Sequence, residues 1–215
     1  MALIIRDVLP VGLFQTNVYI LEDDVTKEAI VIDPADEASR ILKIINDNEL
    51  TVKYILLTHA HIDHIGALKE LKDSTGAKVL LHKEDVFLYE NMHLQSSLFG
   101  LTDPLVTDID LLIEDGMEFG QAGLKFHVIH TPGHSPGSVC YYFPDKLFSG
   151  DTLFKNGIGR SDLWGGSHEL LVESLRGILL NLDDAIEVYP GHGPSTTIGR
   201  EKRDNPFITK EMWYG

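Results

Sequence analysis

Seven residues of metal-ligand type stand just after apolar runs in four separate parts of this chain, and any fold it adopts has to account for them. The densest group is His59-Ala60-His61-Ile62-Asp63-His64, four candidate ligands in six residues behind the apolar Tyr54-Ile55-Leu56-Leu57. His134 follows in His130-Thr131-Pro132-Gly133-His134, Asp151 in Phe148-Ser149-Gly150-Asp151-Thr152, and His192 in Tyr189-Pro190-Gly191-His192-Gly193. Each sits on a turn marked by Gly or Pro. A buried strand ending in such a turn presents imidazoles and carboxylates at one sheet edge, with a rigid backbone behind them. One histidine alone reads more readily as a surface or hydrogen-bonded core residue. Packing and solubility call for no such joint pattern, and seven ligands are too many for one tetrahedral ion, so two metal ions are expected.

Thr58-His59-Ala60-His61-Ile62-Asp63-His64-Ile65-Gly66, followed in order by the His134, Asp151 and His192 turns, closely resembles the metallo-β-lactamase superfamily across nearly the whole chain. Gly150-Asp151-Thr152-Leu153-Phe154, Gly157-Ile158-Gly159-Arg160-Ser161-Asp162 and Gly191-His192-Gly193-Pro194 are similar to its glyoxalase II (hydroxyacylglutathione hydrolase) branch, in particular the short single-domain bacterial members. Thr197 to Lys202 and Asn205-Pro206-Phe207 resemble that branch too. The resemblance implies an α/β fold, an αββα sandwich of two mixed β-sheets flanked by helices, as one catalytic domain over residues 1–215 without the C-terminal helical domain of the larger glyoxalase II enzymes. It also implies a ligand split: His59, His61 and His134 on one ion, Asp63, His64 and His192 on the other, and Asp151 bridging them. Zinc is the first choice of metal, with iron or manganese also suited to an imidazole-rich site. A water held between two such ions has its pKa lowered to about 7, which supplies a hydroxide nucleophile at neutral pH. Asp63 is the candidate catalytic residue for orienting it. A thiolate leaving group, with a pKa of about 8.5 to 9, departs without a proton, so thioester hydrolysis needs no separate general acid.

Composition agrees with a soluble globular enzyme: 43% hydrophobic and 24% charged residues. The formal net charge of −15 argues against a nucleic-acid partner, which needs a basic track. Divalent ions leave the site itself positive, so a small anionic substrate is still attracted. No apolar run approaches the roughly 20 residues of a membrane span, and charges interrupt the N-terminal run early, so a cytoplasmic protein without an export signal is expected. The single cysteine, Cys140, lies in an apolar strand pattern and reads as a buried small hydrophobe.

Strands are expected over Ala2–Leu9, Asn17–Leu21, Ala29–Ile32, Tyr54–Leu57, Lys78–Leu81, Leu124–Ile129, Val139–Phe143, Lys146–Phe148 and Ile186–Tyr189. The turn at Pro144-Asp145 makes a hairpin of two of them. Ala38, Ile41, Leu42 and Ile45 have helical spacing, as do Leu171, Leu175, Ile178 and Leu179 behind a Ser167 N-cap. A further helix should bury Ile65, Leu68 and Leu71 and end at Ser74-Thr75-Gly76.

Arg160 is the lead on substrate. In the larger glyoxalase II enzymes a basic residue at this position and a tyrosine two residues on contact glutathione; here the tyrosine position is Asp162, so Arg160 reads equally as a substrate-binding residue or as the partner of Asp162. Trp164 and the pair Met212-Trp213 are candidates for a pocket wall, and Glu90 to Asp103 for a lid or a dimer contact in a monomer or homodimer. His127 reads as a satisfied strand residue, and His82, His93 and His168 as surface residues. The leading expectation is a glyoxalase II-type hydrolase of small acyl thioesters such as S-lactoylglutathione. The alternatives are a persulfide dioxygenase with one iron, and a non-catalytic binding member. Flavo-diiron reductases are set aside because His61 stands where they have Glu, and β-lactamases for want of an export signal.

Overall fold

The computed structural model describes residues 3–120 and 122–211. In chain order the larger elements are β1 (Leu3–Val11), β2 (Thr16–Asp23), β3 (Glu28–Ile32), α1 (Ala38–Asp47), β4 (Thr51–Leu56), α2 (Leu68–Thr75), β5 (Lys78–His82), α3 (Val86–Glu90), α4 (Met92–Phe99), β6 (Leu111–Ile113), β7 (Glu118–Phe119) and β8 (Phe126–His130). They continue with β9 (Val139–Phe143), β10 (Lys146–Gly150), the short hairpin of β11 (Leu153–Phe154) and β12 (Gly157–Ile158), α5 (His168–Gly177), β13 (Glu187–Pro190), β14 (Thr196–Thr197) and α6 (Ile198–Asp204). One sheet has the order β1-β2-β3-β4-β5-β6 and the other β14-β13-β10-β9-β8-β7. Both are mixed: β3 to β6 run parallel, as do β10 and β13, and the remaining pairs are antiparallel.

Alternation along the strands builds the layers. Ala29 and Val31 of β3 pack on one side with α1 and α2, whereas Ile30 and Ile32 face the opposite sheet. In β9 and β10, Tyr141 and Phe148 point into the space between the sheets, while Cys140 and Leu147 pack towards α5. A strand buried on both faces reads as a continuous apolar run, because each parity has its own hydrophobic partner. The inter-sheet layer is aromatic, with Phe126, Phe143, Phe148, Tyr19 and Tyr141 in edge or tilted contacts. This is the expected αββα sandwich.

Helix boundaries follow the signals in the residues. The Ser167 side chain accepts from the Leu170 amide at the start of α5, and Gly76, in the left-handed region at φ 67°, closes α2. The β9–β10 turn is Pro144-Asp145, flanked by the Phe143–Lys146 pair. Leu124 ends a 3-10 turn instead of opening a strand, since β8 starts at Phe126. Ala2, Met212 and Trp213 lie outside the described residues. No helix among the described residues is long and apolar enough to cross a membrane.

Strand direction positions the site. Parallel alignment of β3, β4 and β5 puts their C-terminal ends at one edge, and the antiparallel steps through β2 return β1 to the same direction. In the second sheet β8, β10 and β13 share a direction as well. The strands preceding His59, His134, Asp151 and His192 are four of these.

Candidate metal centre

All seven predicted side chains converge where the two sheets meet. His61 Nδ1 lies 2.9 Å from His134 Nε2, which lies 3.2 Å from His59 Nε2. On the other side His192 Nε2 is 3.2 Å and His64 Nε2 3.6 Å from Asp63 Oδ2. Asp151 stands between the groups: Oδ1 is 3.5 Å from His64 Nε2, while Oδ2 is 3.6 Å from His134 Nε2 and 3.5 Å from His192 Nε2. Two triads, His59/His61/His134 and Asp63/His64/His192, therefore have ligand atoms close enough to share an ion, and a third, His59/His64/Asp151, straddles them.

The outer nitrogens fix which way four of the imidazoles face. His64 Nδ1 is 2.9 Å from Asp33 Oδ2, His134 Nδ1 is 2.7 Å from the Arg160 carbonyl, and His192 Nδ1 is 3.1 Å from the Phe14 carbonyl. Each acceptor requires a proton on Nδ1, which in the neutral ring leaves the lone pair on Nε2, where a bound cation would take the place of a second proton. Thr58 Oγ1 donates to Asp33 Oδ2 at 2.6 Å, so it accepts from His59 Nδ1 at 3.0 Å, and His59 Nε2 also faces inward as a lone pair. Acceptors pointed at acceptors repel unless something positive lies between them. Among the described residues, His64 Nε2 and Asp151 Oδ1 are two of three buried side-chain polar atoms without a hydrogen-bond partner. The donor set fits divalent cations of the zinc, iron and manganese type.

Electrostatics point the same way. Burial and then the neighbouring imidazoles hold His59 well below its usual range, and the same causes, with His134 foremost among the neighbours, bring His61 down to about 3. Burial also opposes charge on His64, yet Asp63, Asp33 and Asp151 raise it to about 10. Asp63, despite burial, is held below the usual carboxylate range by His64 and His192. Burial favours the neutral form of His59 and His61, while the imidazoles around Asp63 favour its ionised form, so the field at the centre favours positive charge.

Two carboxylates missing from the predicted set hold this arrangement. Asp33 follows β3 and accepts from Thr58 N at 2.7 Å as well as from Thr58 Oγ1 and His64. Its place after Val31-Ile32 repeats the pattern of an apolar strand followed by a polar turn. Asp85, fully buried, accepts from Ala60 N, Ser135 Oγ and Gly137 N, tying the His59–His64 loop to the His134 loop. Burial raises its pKa against these hydrogen bonds. Cross-sheet bonds from Tyr141 Oη to the Leu57 carbonyl and from Val139 N to the Thr58 carbonyl fix the base of the loop. The turn bearing His192 is anchored by Asn17 Nδ2 and Tyr19 Oη on the Pro190 carbonyl.

A cavity of about 470 Å³ opens over the cluster, walled by Phe14, Phe99, Phe154, Ile158 and Leu163, with Arg160 as its cation. Arg160 also pairs in bidentate fashion with Asp162, at 2.7 and 2.8 Å, and both side chains are exposed. Trp164 lines a small apolar slot beside His61 and packs edge-on against Phe87. His82 corrects the surface reading: it is buried and stacks on His130, whose Nε2 donates to the Pro136 carbonyl in the His134 loop. The charged run Lys83-Glu84-Asp85 that follows makes His82 look like part of a surface turn, whereas His82 completes β5. His127 sits on β8 beside Glu118.

Residues 11–192 match the Metallo-beta-lactamase superfamily, and the chain belongs to it as a metal-dependent hydrolase. It is 39% identical over 214 residues to the hydroxyacylglutathione hydrolase GloC of Haemophilus influenzae, covering 95% of this chain and 98% of that one. Among solved structures it is similar to BLEG-1, described as a B3 metallo-beta-lactamase, with 42% identity, a TM-score of 0.89, and coverage of 94% and 99%. TTHA1623 in a di-iron-bound form gives 40% identity, a TM-score of 0.85, and the same coverage of 94% and 99%.

Proposed function

We propose that the protein hydrolyses small acyl thioesters in the manner of glyoxalase II, converting S-lactoylglutathione or a related thioester and water into a hydroxy acid and a free thiol. The observation that carries this reading is Asp151, whose two oxygens reach towards both halves of a histidine-lined cluster at the floor of an open cavity. The extended likeness to GloC supports the thioester class.

In this reading His59, His61 and His134 would hold one ion and Asp63, His64 and His192 the other, with Asp151 available to both. Divalent ions so held would supply Lewis acidity towards a carbonyl oxygen and would lower the pKa of water to about 7. The chain does the rest. Asp63 Oδ2, which accepts from Thr16 Oγ1 at 3.2 Å and lies 3.2 Å from His192 Nε2, would orient the attacking water in this reading. The apolar walls exclude bulk water and strengthen the local electrostatics. Arg160 offers a guanidinium to a carboxylate of the thiol carrier, which exchanges with Asp162. The thiolate leaves unprotonated, and no side chain has to act as a general acid.

The deciding experiment assays one preparation, reconstituted separately with zinc, iron and manganese, on S-lactoylglutathione, on a β-lactam, and on glutathione persulfide with oxygen. Thioester hydrolysis with little turnover of the other two is the expected result. A persulfide-dependent uptake of oxygen by the iron form, or faster cleavage of the β-lactam, overturns it.

A further inference from the structure

A second cavity, of about 400 Å³, lies against the metal-site cavity and shares Phe14 and Asp63 with it. One wall is the β1–β2 turn from Gly12 to Phe14, and the other is the segment Leu101–Leu105 beyond α4. The Phe14 ring meets Phe99 edge-on, with centroids 5.8 Å apart, so this aromatic pair stands at the junction of the two spaces. The rims are apolar and open: Leu13 is 78% and Leu105 71% exposed. The charged side chains that line it are Asp36, Asp63 and Asp103, and no Lys, Arg or His lines it among the described residues. The metal-site cavity, by contrast, carries Arg160 beside His134 at its other end. A substrate lying across Asp63 therefore meets a cation on one side and carboxylates with apolar rims on the other.

We infer that this second groove is the acyl subsite, and that it selects uncharged acyl groups, including ones much larger than lactoyl, while rejecting acyl groups that end in a carboxylate. The inference rests on the thioester reading above and adds the direction in which the substrate lies: the anionic thiol carrier towards Arg160, the acyl chain past Asp63 between Leu13 and Leu105. Like-charge contact with Asp36 and Asp103 penalises a terminal carboxylate, and the exposure of both acids limits the penalty to about tenfold. The volume exceeds what a three-carbon hydroxyacyl group fills, so lengthening an uncharged chain adds apolar contact without a clash.

The test uses the metal-reconstituted enzyme and glutathione thioesters that differ only in the acyl group: lactoyl, a six-carbon uncharged 2-hydroxyacyl, and a chain of the same length ending in a carboxylate. The expected kcat/KM for the long uncharged acyl is equal to or above that for lactoyl, and for the carboxylate-ended one about tenfold lower. Asp103→Lys, an exposed change in the groove wall, should raise the ratio of kcat/KM for the carboxylate-ended chain to that for the uncharged chain of the same length by most of that tenfold. Calorimetry with the matching non-hydrolysable thioethers gives a readout independent of chemistry, and the same order of Kd values is expected. Charged and uncharged chains that bind and react alike, or an Asp103→Lys effect that is equal on all three, overturn the subsite. If no thioester is cleaved but the thioethers still discriminate by charge, the hydrolase reading fails and the groove assignment stands.

Discussion

Asp33 and Asp151 both face His64, but only Asp151 reaches the cluster centre; Asp33 stands behind the ring, at Nδ1. Asp151→Asn keeps the shape and removes an anionic oxygen, so it should retain the fold while lowering turnover by orders of magnitude, checked by circular dichroism beside a thioester assay. Asp33→Asn should act one step back, weakening metal affinity by about 10- to 100-fold in a competition titration with a chelator. Turnover at saturating metal should fall much less. Arg160→Ala should raise KM with kcat nearly unchanged. An exposed guanidinium already paired with Asp162 limits that shift to about two- to tenfold. All seven convergent residues were legible in the sequence because their types and spacing have no other joint explanation. Asp33 was not, because Asp before Pro after a strand is also an ordinary turn. Asp85 was not, because its three donors come from loops distant in sequence.

At the scale of elements, the turns that follow the strands carry the chemistry, and some admit no side chain. A Cβ on Gly191 would lie 2.1 Å from Asp151 Oδ1 and 2.8 Å from His64 Cε1. Gly191→Ala should therefore displace the carboxylate and cost most of the bound metal, read by metal analysis of folded protein. Far from the site, buried Glu22 on β2 accepts from Arg6 Nε at 2.5 Å and from Lys27 Nζ at 2.8 Å. The hydrogen bond from Arg6 is the largest influence lowering its pKa below the ordinary value of 4.5. A depressed carboxylate stabilises the fold above its unfolded pKa, and that share is lost as pH falls through the folded value. Denaturant unfolding should show stability falling as pH drops below the ordinary glutamate value, and Glu22→Gln should remove part of that slope, at a cost of about 1–3 kcal/mol near neutrality. The long strands were legible because their apolar runs face two layers. β6, β7, β11, β12 and β14 have only two or three residues each, and pairing partners rather than local pattern define them. α4 also escaped the periodicity, since Leu94, Leu98 and Phe99 are exposed while Met92 is buried.

For the whole molecule, the two sheets are held together by an apolar, aromatic layer at the centre and by the polar cluster at one edge. Imidazole lone pairs and carboxylates that face one another there make the edge costly to close without positive charge between them. Metal bound only to the folded state should raise Tm, by about 10 °C for tight binding at this chain length, and a chelator should reverse the gain. The most direct test of the binuclear account is to titrate metal into stripped protein while recording S-lactoylglutathione hydrolysis and metal content together. Activity should climb until about two ions are bound per chain, and His64→Ala should bind the first ion but lose the second along with most of the turnover. Full activity at one ion per chain, unaltered by the second, would contradict it.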